Sequence, residues 1–259
     1  MSHLQRLVIA NPVFHKEMRS RWRGRRLYLI PGLAVGGLMA LLLVCLLPTA
    51  FEKTYFFEFY PVLAAFLGYF IATVMALLAT PGLAAGFLAV ERVNLTLDML
   101  VVTRLSTWQI IVGKFVAGLL PVLLAIGPCL AIASFMDALA IMGQSDEMFA
   151  QFYLHVFLQW VTVPLLAVTG GALGTAASAF CRRLPSAMAW AYGMTLMLYF
   201  GVQHGPRMLS WMNLVRYEWP KDPAVFVLQS LVRWCIYALA IWLALRLAHW
   251  RLYTEPSRE

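Results

Sequence analysis

Apolar positions in this chain do not alternate with polar ones, as a half-buried strand would require; they run on without interruption. Six such runs stand out, at 27–47, 61–90, 115–136, 152–181, 184–203 and 224–245. Each exceeds a buried soluble helix and approaches or passes the ~20 residues that cross a bilayer core. Continuous runs also exclude a transmembrane barrel, whose strands alternate between lipid and lumen. The pattern predicts an all-α polytopic membrane protein with six transmembrane helices. Three parts follow: a segment at 1–26, a transmembrane domain at 27–248 and a tail at 249–259. The first 26 residues are polar and basic, and the run after them is too long for a signal h-region, so the N-terminal segment is expected to stay in the mature protein.

Two polar segments depart from a simple alternation of span and loop. Asn11-Pro12 is a helix start, a capping side chain followed by proline at the first helical position. From there Phe14, Met18 and Trp22 recur every four residues, while Lys16, Arg19, Arg23 and Arg26 recur on another face. This predicts a basic amphipathic helix lying in the interface, apolar side in the acyl boundary and cations at the lipid phosphates. Between the second and third runs, Leu95, Met99 and Val102 recur at helical spacing, widened by Leu97 and Leu100, with Glu91 and Asp98 opposite. After a break at Thr103-Arg104, Ser106-Thr-Trp108-Gln109 matches the S-x-x-Q capping box, which starts a new helix. A short amphipathic helix is therefore expected between two spans, its apolar face turned to the bilayer or to another protein.

Composition agrees with the pattern: 62% of the 259 residues are hydrophobic, 12% are charged, and mean hydropathy is +0.76. The net charge of +8 is mostly a topology signal. Fifteen Lys and Arg flank the runs on the side of the two termini against four on the other, which predicts both termini in the cytoplasm. These cations are accounted for by anionic head groups, and no nucleic-acid partner is expected. Arg233 is the one charge well inside a run. It can snorkel, pair within the protein, or face a pore and an anionic substrate group. The four cysteines are widely spaced, with no C-x-x-C, and read as small apolar residues. Gly32-x-x-x-Gly36, Gly82-x-x-x-Gly86 and Gly170-x-x-x-Gly174 predict close helix packing, and Thr80-Pro81-Gly82 and Pro128 predict kinks.

The string from Ala89 to Lys114, A-V-E-R-V-N-L-T-L-D-M-L-V-V-T-R-L-S-T-W-Q-I-I-V-G-K, resembles the signature of ABC-2 type permeases, the membrane subunits of ABC exporters. The opening Asn11-Pro-Val-Phe-His-Lys-Glu-Met-Arg resembles the start of the same family. Asn94 stands where the family usually has glycine, and Arg104 where it has proline. The resemblance implies that the loop helix is a coupling helix docking on a cytoplasmic ABC ATPase subunit. That role falls on Glu91, Arg92, Leu95, Thr96, Leu97, Asp98, Met99, Leu100, Thr103, Arg104, Leu105, Ser106 and Trp108. An interfacial helix carried by Phe14, Lys16, Glu17, Met18, Arg19, Trp22 and Arg23 would lie beside it. It further implies a second permease subunit, identical or related, and a place in the cytoplasmic (inner) membrane of a bacterium.

No G-x-x-x-x-G-K-[ST] loop occurs, so the chain itself is not expected to be an enzyme or to hold a cofactor; ATP and Mg would be bound by the partner. No metal site or catalytic residue is expected either, since H-E-x-x-H and G-x-S-x-G are absent. An ion-coupled secondary transporter and a non-transporting membrane scaffold are the alternatives. The runs lack the interior Asp or Glu that ion coupling uses, with Asp137 only at an end.

Overall fold

The computed structural model describes residues 11–22, 56–94, 106–141, 146–181, 183–211 and 223–254, with a few single positions between 32 and 40. Six helices account for nearly all of them: α1 (Pro12–Trp22), α2 (Phe56–Val93), α3 (Thr107–Ile141), α4 (Asp146–Phe180), α5 (Leu184–Trp211) and α6 (Pro223–Thr254). No strand occurs among the described residues. Four stretches are long and apolar enough to cross a membrane: Ala65–Glu91 in α2, Thr107–Ala138 in α3, Val156–Phe180 in α4 and Val227–Thr254 in α6. Helix α5 has 28 residues, enough for length at 1.5 Å per residue, but its Ser, Thr, Gly, Tyr and Trp make it less apolar than these four. The run at 27–47 lies outside the described residues apart from those single positions.

The helices outrun the apolar runs that predicted them. α3 begins eight residues before its run and α4 six before, which narrows the connection between them to residues 142–145. Helix α5 continues through His204 to Trp211, beyond the apolar run at 184–203. Once an apolar run is helical, adding a residue gains one more backbone hydrogen bond, so a helix propagates through modestly polar flanks until a breaker stops it. Proline inside is tolerated: α2 continues through Pro81, α3 through Pro121 and Pro128, and α4 through Pro164.

Helix α2 is central, packed chiefly against α4 and α3 and also against α5, while α6 lies mainly on α4 and scarcely touches α5. Small residues set these distances. A Cβ at Gly174 would stand 2.7 Å from the Pro81 carbonyl oxygen and 2.8 Å from the Ala84 Cβ, so α4 meets α2 almost backbone to backbone. Gly170 does the same against Thr80, whose hydroxyl donates to the Ala76 carbonyl at 2.5 Å. Gly82 leaves room for Tyr192 of α5, whose hydroxyl donates to the Leu78 carbonyl at 3.0 Å. Around these contacts Leu77, Phe115, Ile126, Leu130, Leu166 and Tyr237 form the main core. The opposite faces expose large apolar side chains such as Phe66, Trp190, Met197, Leu228 and Trp242, as a hydrocarbon solvent permits.

Candidate functional site: a charged junction at one end of the bundle

Both terminal helices, α1 and α6, meet the helices flanking residues 95–105 at the same end of the bundle. Asn11 organises the first contact and is fully buried. Its Oδ1 accepts from the Val13 N–H at 3.0 Å, capping α1 at its second residue, and Pro12 occupies the first position. The other side of the same amide donates from Nδ2 to the Gln109 carbonyl at 2.6 Å, in the first turn of α3. One side chain thus closes one helix and fastens it to another. Gly113 is obligatory here, because a Cβ would lie 2.8 Å from Asn11 Nδ2 and 3.2 Å from the Phe14 nitrogen.

One residue on, Lys114 is 4% exposed. Its ammonium donates to Glu17 Oε1 of α1 at 3.0 Å and to Glu91 Oε1 of α2 at 2.8 Å. Charge-assisted hydrogen bonds of this length offset the desolvation of a buried ammonium. The bridge gathers three helices, α1, the end of α2 and the start of α3, around one cation. Burying α1 in this way also reorients it. Val13 is its most buried apolar residue and Phe14 and Met18 are half-buried, while Pro12, His15, Lys16, Arg19 and Ser20 form the exposed side. Helix α1 thereby packs against α3.

The helix start at Ser106 has the reciprocal geometry of a capping box. The Ser106 N–H donates to Gln109 Oε1 at 2.9 Å, and the Gln109 N–H donates to Ser106 Oγ at 3.3 Å. In the same turn Trp108 stacks on His249 of α6, ring centroids 4.6 Å apart at 16°. His249 in turn lies parallel to Tyr253 at 6.3 Å. Arg251 sits 6.0 Å over the Phe180 ring at the end of α4. Beneath these, Leu88, Ile111, Ala179 and Ala248 bring α2, α3, α4 and α6 into one small apolar cluster.

Of the residues singled out by sequence, the geometry unites Glu17, Glu91, Ser106 and Trp108. Phe14, Lys16, Met18 and Arg19 lie on α1, and the side chains of Trp22 and Arg92 lie outside the described residues although their backbones are helical. Arg23 and the centre of the expected coupling helix, Leu95, Thr96, Leu97, Asp98, Met99, Leu100, Thr103, Arg104 and Leu105, fall outside the described residues altogether. Arg233 is half-buried on α6, at the other end of the bundle. The sequence placed Gly113 and Lys114 in the family signature but did not point to the ion pairs of Lys114 or to the second role of Asn11. A signal was present: Lys114 opens a long apolar run, where a lone ammonium is costly, and the two nearest polar segments each carry a glutamate. The chain matches no protein-family model and no curated protein.

Proposed function

We propose that this chain is the permease subunit of an ATP-driven exporter of the ABC-2 type. It forms half of a translocation pathway across a bacterial inner membrane, with both termini cytoplasmic and six spans, the first at 27–47 and the fifth in α5. The segment at 95–105 docks on a separate cytoplasmic ATPase subunit, and a second permease chain completes the pathway. The carrying observation is the Lys114 bridge to Glu17 and Glu91, reinforced by Asn11 on Gln109. A loop transmits force only if its two anchors move together. Here the helix entering 95–105 and the helix leaving it share a cation with α1, so displacement of the loop moves three helices as one body. The stack of Trp108 on His249 extends that body to α6. Packed units of this kind are bistable rather than elastic, which suits rocking between two arrangements.

The test is purification of the tagged full-length chain from its native host in mild detergent, with identification of co-purifying chains and an ATPase assay. A stoichiometric P-loop ATPase is expected, lost in Leu97→Pro and Leu100→Glu while membrane insertion persists. An oligomer free of ATPase, or ATPase retained by both variants, overturns the proposal.

A further inference from the structure

Helices α2 and α3 grip each other tightly on both sides of a looser middle. Toward the start of α2, Gly68 allows a close approach: a Cβ there would lie 2.8 Å from the Ala133 Cβ and 3.3 Å from the Cys129 carbonyl oxygen. Toward its end, Phe87 fills the notch left by Gly118, where a Cβ would overlap its ring, and Glu91 bonds Lys114. The antiparallel register that these contacts fix brings Pro81 of α2 to the level of Pro121 of α3, to within about a turn. Each proline lacks the N–H that would reach the carbonyl four residues back, Leu77 in α2 and Ala117 in α3. Thr80 donates its hydroxyl to the Ala76 carbonyl, a back-bond of the kind that bends helices. Packing is incomplete at this level alone of the three. A void of about 10 Å³ lies between Thr80, Ala84 and Phe87 of α2, Gly118 and Leu119 of α3, and Gly171 of α4.

Tyr192 of α5 sits across the same level on the opposite side of α2. Its hydroxyl donates to the Leu78 carbonyl, before the proline, at 3.0 Å and lies against Gly82, after it. Leu78 and Gly82 are one turn apart on one side of the helix, and periodicity turns Thr80, Ala84 and Phe87 the other way, toward the void. Gly170 and Gly174 of α4 bear on Thr80, Pro81 and Ala84 with no interlocking side chain of their own, which resists translation of α2 but permits it to pivot. Hydrogen bonds from neighbouring helices are what support a proline-broken helix where no water can. We propose that α2 and α3 are jointed at Pro81 and Pro121, and that Tyr192 is the latch of this joint. While its hydroxyl holds the Leu78 carbonyl, the two halves of α2 keep their present line; when the bond breaks, α2 turns about Pro81 toward the void, with the α4 glycines as fulcrum. The Glu91–Lys114 bridge lies ten residues beyond Pro81 along α2, about 15 Å, so a displacement of the charged junction reaches the joint. The inference does not rest on the export reading, because the joint is measured in the isolated chain without any ATPase.

The experiment is hydrogen–deuterium exchange, read by mass spectrometry, on the full-length chain in phosphatidylglycerol nanodiscs, followed at the amides of residues 82–86. Tyr192→Phe is expected to raise their exchange about fivefold, the effect of one net hydrogen bond on local opening. Pro81→Ala, which restores the donor to Leu77, should slow the same amides. Adding Tyr192→Phe to Pro81→Ala should then change exchange less than about twofold, since a latch has no effect where the joint is gone. A bond that only adds stability would give the same rise in both backgrounds. Trp160→Phe removes an interhelical bond away from the joint, Trp160 Nε1 to Ser134 Oγ at 2.9 Å, and should leave residues 82–86 unchanged. Unchanged exchange in Tyr192→Phe, no slowing in Pro81→Ala, an equal rise in the two backgrounds, or an equal rise in Trp160→Phe overturns the inference.

Discussion

The two ends of the helical bundle handle buried polarity in opposite ways. Where α1 meets α2 and α3, the buried side chains named above are paired: Lys114 has two carboxylates, and the Asn11 amide uses both its acceptor and its donor. At the far end of α5 and α6, the Tyr237 hydroxyl and the Gln203 carbonyl are buried with no partner among the described residues. A completed network fixes one arrangement of helices and behaves as a strut. An incomplete one costs stability and regains it when the missing partners are supplied. The contrast separates an end whose charged side chains are paired from one where two buried polar atoms are not.

Removing the cation from the complete end is the strongest way to break this contrast. Lys114→Met leaves Glu17 and Glu91 facing each other across an apolar site, and a loss of about 3–5 kcal/mol is expected, the range for removing one partner of a buried ion pair. A lowered thermal unfolding midpoint of the purified protein is the readout; an unchanged midpoint would dissolve the strut. Packing comes next. Gly174→Val forces a side chain against the Pro81 carbonyl and the Ala85 nitrogen, 3.1 Å from its Cβ, and is expected to cost about 1–3 kcal/mol. Gly193→Ala, with nothing within 4 Å of its Cβ, should match the parent within about 0.5 kcal/mol. Asn11→Ala forfeits the cap of α1 and the bond to Gln109, about 1–2 kcal/mol, seen as earlier proteolysis of the N-terminal segment. One change has the opposite sign: Tyr237→Phe removes an unsatisfied hydroxyl and should be neutral or raise stability by up to about 1 kcal/mol. A clear loss there would mean that the far end is as complete as the near one.

Much of the candidate site was legible because it is local. The Asn11-Pro12 cap and the Ser106–Gln109 box are short-range patterns in which a side chain satisfies a backbone group two or three residues away, and both form as expected. The stripe of Phe14, Met18 and Trp22 was equally plain and was read as facing the acyl boundary, but it carried no sign of the contact with α3, which is made by residues 98 positions apart, as Asn11 and Gln109 are. The same applies to Lys114, which in the sequence was one cation in a topology count and the last residue of the family signature.

The sequence by itself determined that this is a helical chain with long apolar helices, because continuous hydrophobicity and local capping act within a few residues of one another. It also determined where small residues would let helices approach, since a missing Cβ is a property of the residue alone. Tertiary structure decided which glycines meet a neighbour: Gly174 lies against α2, while Gly193 faces open space. It also decided which charges are neutralised and which remain. Lys114 and Arg233 are both cations beside or within apolar runs. They differ because two carboxylates from distant segments converge on the first, while none is placed at hydrogen-bonding distance of the second among the described residues. Electrostatic pairing acts over a few ångströms in space, and only the packing of α1, α2 and α3 brings those groups within that range.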